Sequence, residues 1–233
     1  MATVTLARSD TRNALNAELI GEIRRCMEEL AEDDSVRVIV LTGEGDFFCA
    51  GADVGYMRDT ANFSYEENLE DARDLAAMFG AVEECPKPVV ARVKGAAIGG
   101  GIGLVAAADI SVAEEGTVFA FTEVRLGISP ATIAPFVLRK IGYSQTRALF
   151  LTGERFDTEK AREIGLVHEV AAEGDLDAAV QEKVEGLLKG GPEALAATKA
   201  LLRELRDAEP GEEGQEGLGA FLEKREPAWR EEL

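Results

Sequence analysis

Histidine occurs once in the 233 residues, tryptophan once and cysteine three times, and lysine supplies only eight of the 25 cations. One histidine and scattered cysteines leave no group at metal-ligand spacing. Cys49 has no histidine near it in sequence to activate a thiolate nucleophile. Cys26, Cys49 and Cys85 are odd in number and unrelated in spacing, in a chain large enough to fold without cross-links. They read as reduced thiols of a cytosolic protein. Long apolar runs are missing too, so no segment reaches the length of a membrane span. The opening "MATVTLARSD" has no basic region followed by an apolar stretch. The expectation is a cytoplasmic protein that is not exported.

The shortage of cations has its own consequence. Against 44 acids the 25 cations leave a net charge of −19, which repels phosphate backbones and anionic lipid and excludes nucleic acid and membrane as partners. An acidic, lysine-poor surface fits a salt-rich, halophilic cytoplasm, where screening quiets the repulsion among carboxylates.

What is present is an α/β pattern. "ATVTLA" reads as a strand, and "NAELIGEIRRCMEELAED" carries Leu19, Ile20, Ile23, Met27 and Leu30 at the spacing of an amphipathic helix. "VRVIVLTGEG" is a β-branched run ended by glycines, as a buried parallel strand should be. A helix over about 65–84, a strand in "KPVVARVKG", a glycine turn, a short helix in "LVAAAD" and strands in "ISVA" and "TVFAF" follow. From Ala131 the pattern is mostly helical, with a strand at "IGLVHEV", "GEEGQEG" as a linker and "LGAFLEKREPAW" as a last helix. There is no internal repeat.

The chemistry centres on "VKGAAIGGGIGLVAAAD". Glycines at the mouth of a helix bring bare N–H groups close to a negative atom, so the turn is suited to a phosphate or an oxyanion. A mononucleotide loop requires Lys and then Ser or Thr after the last glycine, where Ile102 and Gly103 stand. Gly101, Gly103 and Ala106 match a dinucleotide fingerprint by letter, but the helix before "ISVA" is too short for such a unit. The glycines could also serve only to let a helix pack close to a sheet. A second small-residue turn, "GDFFCAGADV", follows the other β-branched strand, and one amide from each turn converging on one oxygen would make an oxyanion hole.

"FFCAGADV", "KGAAIGGGIGLVAAADISVA", "FTEVRLGISP" and "AFLEKREPAW", in that order, resemble the crotonase superfamily of enoyl-CoA hydratases and isomerases. The resemblance covers nearly the whole chain, although the start at "MATVTL" is short for the family. It implies a ββα spiral core over 1–185, a C-terminal helical trimerisation region over 186–233, and a trimer or dimer of trimers. No cofactor is implied beyond the coenzyme A of the substrate. Carried over by position, the oxyanion amides are those of Ala52 and Gly100. Ala14, Leu15, Ala50 and Asp53 would line coenzyme A, and Phe221 and Lys224 would reach its nucleotide from a neighbouring subunit.

Of the two glutamates that hold water in the hydratases of this family, the second is Glu123, while the first is replaced by Gly103. A glycine there suggests a backbone angle that only glycine adopts. The single-glutamate pattern is similar to the branch with 3-methylglutaconyl-CoA hydratases, so hydration of an enoyl-CoA is expected. Double-bond isomerisation and non-catalytic acyl-CoA binding are the alternatives. His168 is expected to be structural, and Asp53 to cap the helix that begins there.

Overall fold

The β-branched runs become the centre of a parallel sheet, in a computed structural model that describes residues 1–207 and 223–225. The chain divides into two units, Met1–Ala196 and Ala197–Leu233. The strands are β1 (Ala2–Leu6), β2 (Ile39–Gly43), β3 (Val89–Val93), β4 (Ala96–Ile98), β5 (Ile110–Glu114), β6 (Val118–Ala120), β7 (Arg155–Phe156) and β8 (Glu169–Ala171). The helices are α1 (Ala17–Glu32), α2 (Val54–Thr60), α3 (Tyr65–Glu84), α4 (Gly100–Ala107), α5 (Ala134–Thr152), α6 (Thr158–Glu163), α7 (Leu176–Leu188) and α8 (Pro192–Asp207). Five strands, in the order β1-β2-β3-β5-β8, form a sheet that is parallel throughout.

Side-chain alternation explains why β2 and its approach are apolar without a break. Ile39 and Leu41 enter the main core with Met27, Phe79 and Ile102. Val38 and Val40 enter a second core on the other face with Leu176, Val180 and Val184 of α7. Helix α1 starts where Asn16 accepts the Leu19 N–H, and α3 starts at a capping box between Ser64 and Glu67.

The remaining strands make a second sheet, β4-β6-β7, and two isolated parallel bridges, Leu15 with Ala52 and Cys49 with Ala97, add segments around 15 and 49–52 beside it. Each turn of the chain therefore lays one segment in the main sheet and then one in this second layer, which is the expected spiral. One expectation needs correction. The glycine turn does not leave the main sheet directly after β3, because β4 intervenes and carries the turn into the second layer. The sequence reading passed over β4 and β7, which at three and two residues are too short to show a period.

His168 is structural, as expected. Its Nδ1 accepts the Ser111 N–H at 2.9 Å, and burial together with the nearby Lys140 ammonium lowers its pKa. Lys140 donates to the Ala108 carbonyl, and burial brings its own pKa down to about 8.

Asn13 locks the turn that leads into the second layer. It is fully buried and sits at φ 57°. Its Nδ2 donates to the carbonyls of Glu44 (2.9 Å) and Phe47 (2.7 Å), and its Oδ1 accepts the Arg8 N–H. Asn13→Ala should cost roughly 3 kcal/mol, from unmade buried hydrogen bonds and a left-handed alanine. Asn13→Gly should recover roughly 1 kcal/mol of that by relieving the backbone alone. Urea unfolding with an unchanged slope checks both values.

Candidate active site

Two turns meet where the second layer begins. In the first, the Leu15 N–H donates to the Gly51 carbonyl at 2.7 Å and the Asp53 N–H to the Leu15 carbonyl at 2.9 Å. A trans peptide sends its N–H opposite to its C=O, so the Ala52 N–H points away from residue 15. Among the described residues nothing accepts it, and Ala52 is exposed. In the second turn the Gly99 carbonyl accepts the N–H groups of Ile102 and Gly103 at the start of α4. The Gly100 N–H therefore projects out of the helix mouth, also without an acceptor among the described residues.

The turns abut. The Cys49–Ala97 bridge joins the two segments, and a Cβ on Gly51 would lie 3.0 Å from the Ile98 carbonyl oxygen. A Cβ on Gly100 would lie 2.7 Å from Leu15 Cδ1, and one on Gly101 2.7 Å from the Cys49 carbonyl oxygen. Glycine at 100 and 101 thus reflects close approach of one turn to the other. Gly99, at φ 49°, also needs glycine for its backbone angle.

The third component is Glu123, which opens the 3₁₀ turn Glu123–Leu126, with two residues separating it from the end of β6. That turn closes on Gly127 at φ 73°. The Gly99 N–H donates to the Ala120 carbonyl at 2.9 Å, which ties the end of β6 to the glycine turn. The Glu123 carboxylate leans on Gly99, and a Cβ there would sit 2.8 Å from its Oε1. Its Oε2 is buried with no hydrogen-bond partner. Burial raises the pKa of this carboxyl above the usual glutamate value, and its own backbone N–H opposes the shift only in part. A carboxyl with an idle oxygen and a raised pKa is suited to take up and release a proton.

Asp53 does cap α2. Its Oδ1 accepts the N–H groups of Gly55 (2.8 Å) and Tyr56 (3.2 Å), and its Oδ2 pairs with Arg8 at 3.0 Å. The Tyr56 N–H bond and the Arg8 pairing keep the carboxyl below the usual aspartate pKa, so Asp53 is a poor proton carrier. Ala14 and Leu15 are buried, and the Ala50 N–H donates to the Arg12 carbonyl. All of them border the first turn. Cys49 is buried, and burial pushes its thiol up to about 12, which rules out a resting thiolate. No group of acids, cysteines and histidine that could hold a metal occurs among the described residues. Lys224 is exposed, at φ 55°, and Phe221 lies outside the described residues. Sequence reasoning missed Arg8, since a single arginine beside a strand carries no pattern.

Gly103 corrects a second expectation. Its backbone is helical, inside α4, so conformation does not demand glycine. Packing does: a Cβ would meet Phe79 Cε1 at 2.7 Å and Ile133 Cγ2 at 2.8 Å. An aromatic ring and an isoleucine stand where a second carboxylate would have to start. Gly103→Ala should therefore lose roughly 1–3 kcal/mol by overpacking, and Gly103→Glu should lose more without gaining activity. Denaturant midpoints and rates measured together check this.

The buried Glu123 also links pH to stability. A carboxyl whose folded pKa is raised favours the folded state below its unfolded pKa, and that contribution is lost as pH rises through the folded pKa. Glu123→Gln removes the charge that burial opposes. Its stability relative to the unsubstituted protein should therefore rise as pH climbs through and above the ordinary glutamate range, and the difference should be smallest in acid. Paired unfolding curves across pH test the sign.

The comparisons fit this geometry. A family model described as enoyl-CoA hydratase/isomerase matches residues 1–214. The chain is 35% identical over 206 residues to the enoyl-CoA hydratase ACTT6 of Alternaria alternata, covering 88% of this chain and 67% of that protein. It is 32% identical to the peroxisomal Delta(3,5)-Delta(2,4)-dienoyl-CoA isomerase of Arabidopsis thaliana, over 84% of this chain and 74% of the other. Among solved structures, Pseudomonas aeruginosa AtuE superposes with a TM-score of 0.87 at 38% identity, covering 97% of this chain and 95% of that one. With its α/β crotonase fold and these matches, the chain belongs to the enoyl-CoA hydratase/isomerase family.

Proposed function

We propose that the protein is an enoyl-CoA hydratase. The observation that carries the reading is the idle, buried Glu123 Oε2 beside the helix mouth that presents the Gly100 N–H. The thioester oxygen of the substrate accepts from Ala52 and Gly100, and the negative charge that develops there is met by two amides and the α4 dipole. One such donor contributes roughly 3 kcal/mol in comparable sites. Glu123 takes a proton from water as the water oxygen bonds to the β-carbon, and the electron pair of the double bond moves toward the thioester. The resulting carboxylic acid then returns a proton to the α-carbon. Proton and electron balance close within substrate and water, so the reading requires no cofactor beyond the coenzyme A already on the substrate.

The other ligand contacts follow the same reading. Coenzyme A runs along Ala14, Leu15, Ala50 and Asp53, and Lys224 and Phe221 serve its nucleotide from a neighbouring subunit of a homo-oligomer built through residues 186–233. The single-glutamate pattern favours branched enoyl-CoAs of the 3-methylglutaconyl type. One observation favours a second reading, isomerisation: with Phe79 and Ile133 against Gly103, that position supplies no second carboxylate to hold water. The Glu123 carboxylate could carry a proton between the γ- and α-carbons.

Incubation with straight and branched enoyl-CoAs decides between them by mass, since hydration adds one water and isomerisation adds nothing. Glu123→Gln should reduce turnover below about a tenth of the unsubstituted rate and leave the acyl-CoA dissociation constant within roughly threefold, because it removes the proton carrier and keeps the shape. Binding without turnover in the unsubstituted protein would instead mark a non-catalytic acyl-CoA binder.

A further inference from the structure

Arg8 stands at the far end of two hydrogen-bonded peptide units that lead to Ala52. One arm of its guanidinium donates to the Ala14 carbonyl. The trans peptide that follows turns the Leu15 N–H the opposite way, onto the Gly51 carbonyl at 2.7 Å. The next trans peptide turns the Ala52 N–H onward in the same sense, away from residue 15. Donor, peptide, peptide and open N–H thus form one line with every dipole aligned. The second arm donates to Asp53 Oδ2 at 3.0 Å, and the Asp53 N–H closes the loop on the Leu15 carbonyl at 2.9 Å.

We propose that Arg8 is a positioning residue for the reaction, fixing and polarising the Ala52 N–H through the Ala14–Leu15 and Gly51–Ala52 peptides. The proposal rests on the reading of Ala52 as a donor to the thioester oxygen. Its physical basis is cooperative. A carbonyl that accepts a charge-assisted bond makes the N–H of its own peptide a stronger donor, and the effect passes to the next peptide in line. The guanidinium is partly shielded from water, with side-chain exposures of 28% for Arg8 and 16% for Asp53, so screening leaves part of this effect in place. The planar fork sends separate nitrogens to the carbonyl and the carboxylate at fixed angles, whereas a lysine ammonium would have to reach both from one nitrogen on a flexible stem.

The test reads the thioester itself. A saturated acyl-CoA labelled with carbon-13 at the thioester carbonyl is bound to the full-length protein, and the carbonyl stretch is followed by isotope-edited infrared spectroscopy. In the unsubstituted protein the band should move to lower frequency on binding. In Arg8→Gln, which keeps a donor and loses the charge, the move should be smaller, with kcat down roughly tenfold and KM within about twofold. If Arg8→Gln does not fold, Arg8→Lys carries the test, and its bound band should lie between the free and unsubstituted positions with kcat a few-fold down. A folded Arg8→Gln with the full shift, or an Arg8→Lys band at the unsubstituted position, overturns the Arg8 assignment alone. A bound carbonyl that does not shift in the unsubstituted protein overturns the reading of Ala52, and this proposal with it.

Discussion

The parallel pairing of Leu15 with Ala52 is the contact on which the site depends. It decides which way the Ala52 peptide faces, because the two bonds to residue 15 use the Gly51 carbonyl and the Asp53 N–H and leave the Ala52 N–H pointing outward. The bridge from Cys49 to Ala97 then holds the second turn alongside. A side chain at residue 101 would run into the Cys49 carbonyl, and one at residue 100 would displace the Leu15 side chain. What reads in the sequence as a glycine-rich helix mouth is therefore equally a packing requirement. A backbone donor held in a ladder needs no reorganisation when charge develops opposite it, which is the condition for strong electrostatic stabilisation.

The acid and base follow a different logic. Glu123 is supported by a 3₁₀ turn and by contact with Gly99, and its buried oxygen has no partner. Such an arrangement costs stability when the carboxyl is ionised, and the same cost raises its proton affinity above that of an ordinary glutamate. Asp53, the residue after Ala52 and the cap of helix α2, shows the opposite choice. Every accepting direction it uses is filled by N–H groups or by Arg8, so it remains ionised and holds the turn in place. The two carboxyls, one beside each turn, thus take separate tasks through their hydrogen-bond partners.

Much of this was legible in the sequence because its signals are local. The β-branched runs at 38–41 and 89–93 mark the buried sheet, and the glycine triplet and "CAGAD" mark the turns. Glu123 became visible through the motif around it, since a single acid among 44 carries no signal of its own. The parts that stayed hidden depend on residues far apart in the chain. Two strands of the second sheet, β4 and β7, have only three and two residues. The crowding at Gly103 comes from Phe79 and Ile133, and the grip of Arg8 spans Ala14 and Asp53. Tertiary contacts of this kind leave no period or composition to read.

The central claim is that one thioester oxygen is held by Ala52 and Gly100 while Glu123 serves its α-carbon. A crystal structure with a non-reactive acyl-CoA thioester tests it most directly. The account predicts the carbonyl oxygen within about 2.7–3.2 Å of both backbone nitrogens, with the Glu123 carboxylate facing the α-carbon. A thioester carbonyl held elsewhere, or an acyl chain lying out of reach of Glu123, would contradict it.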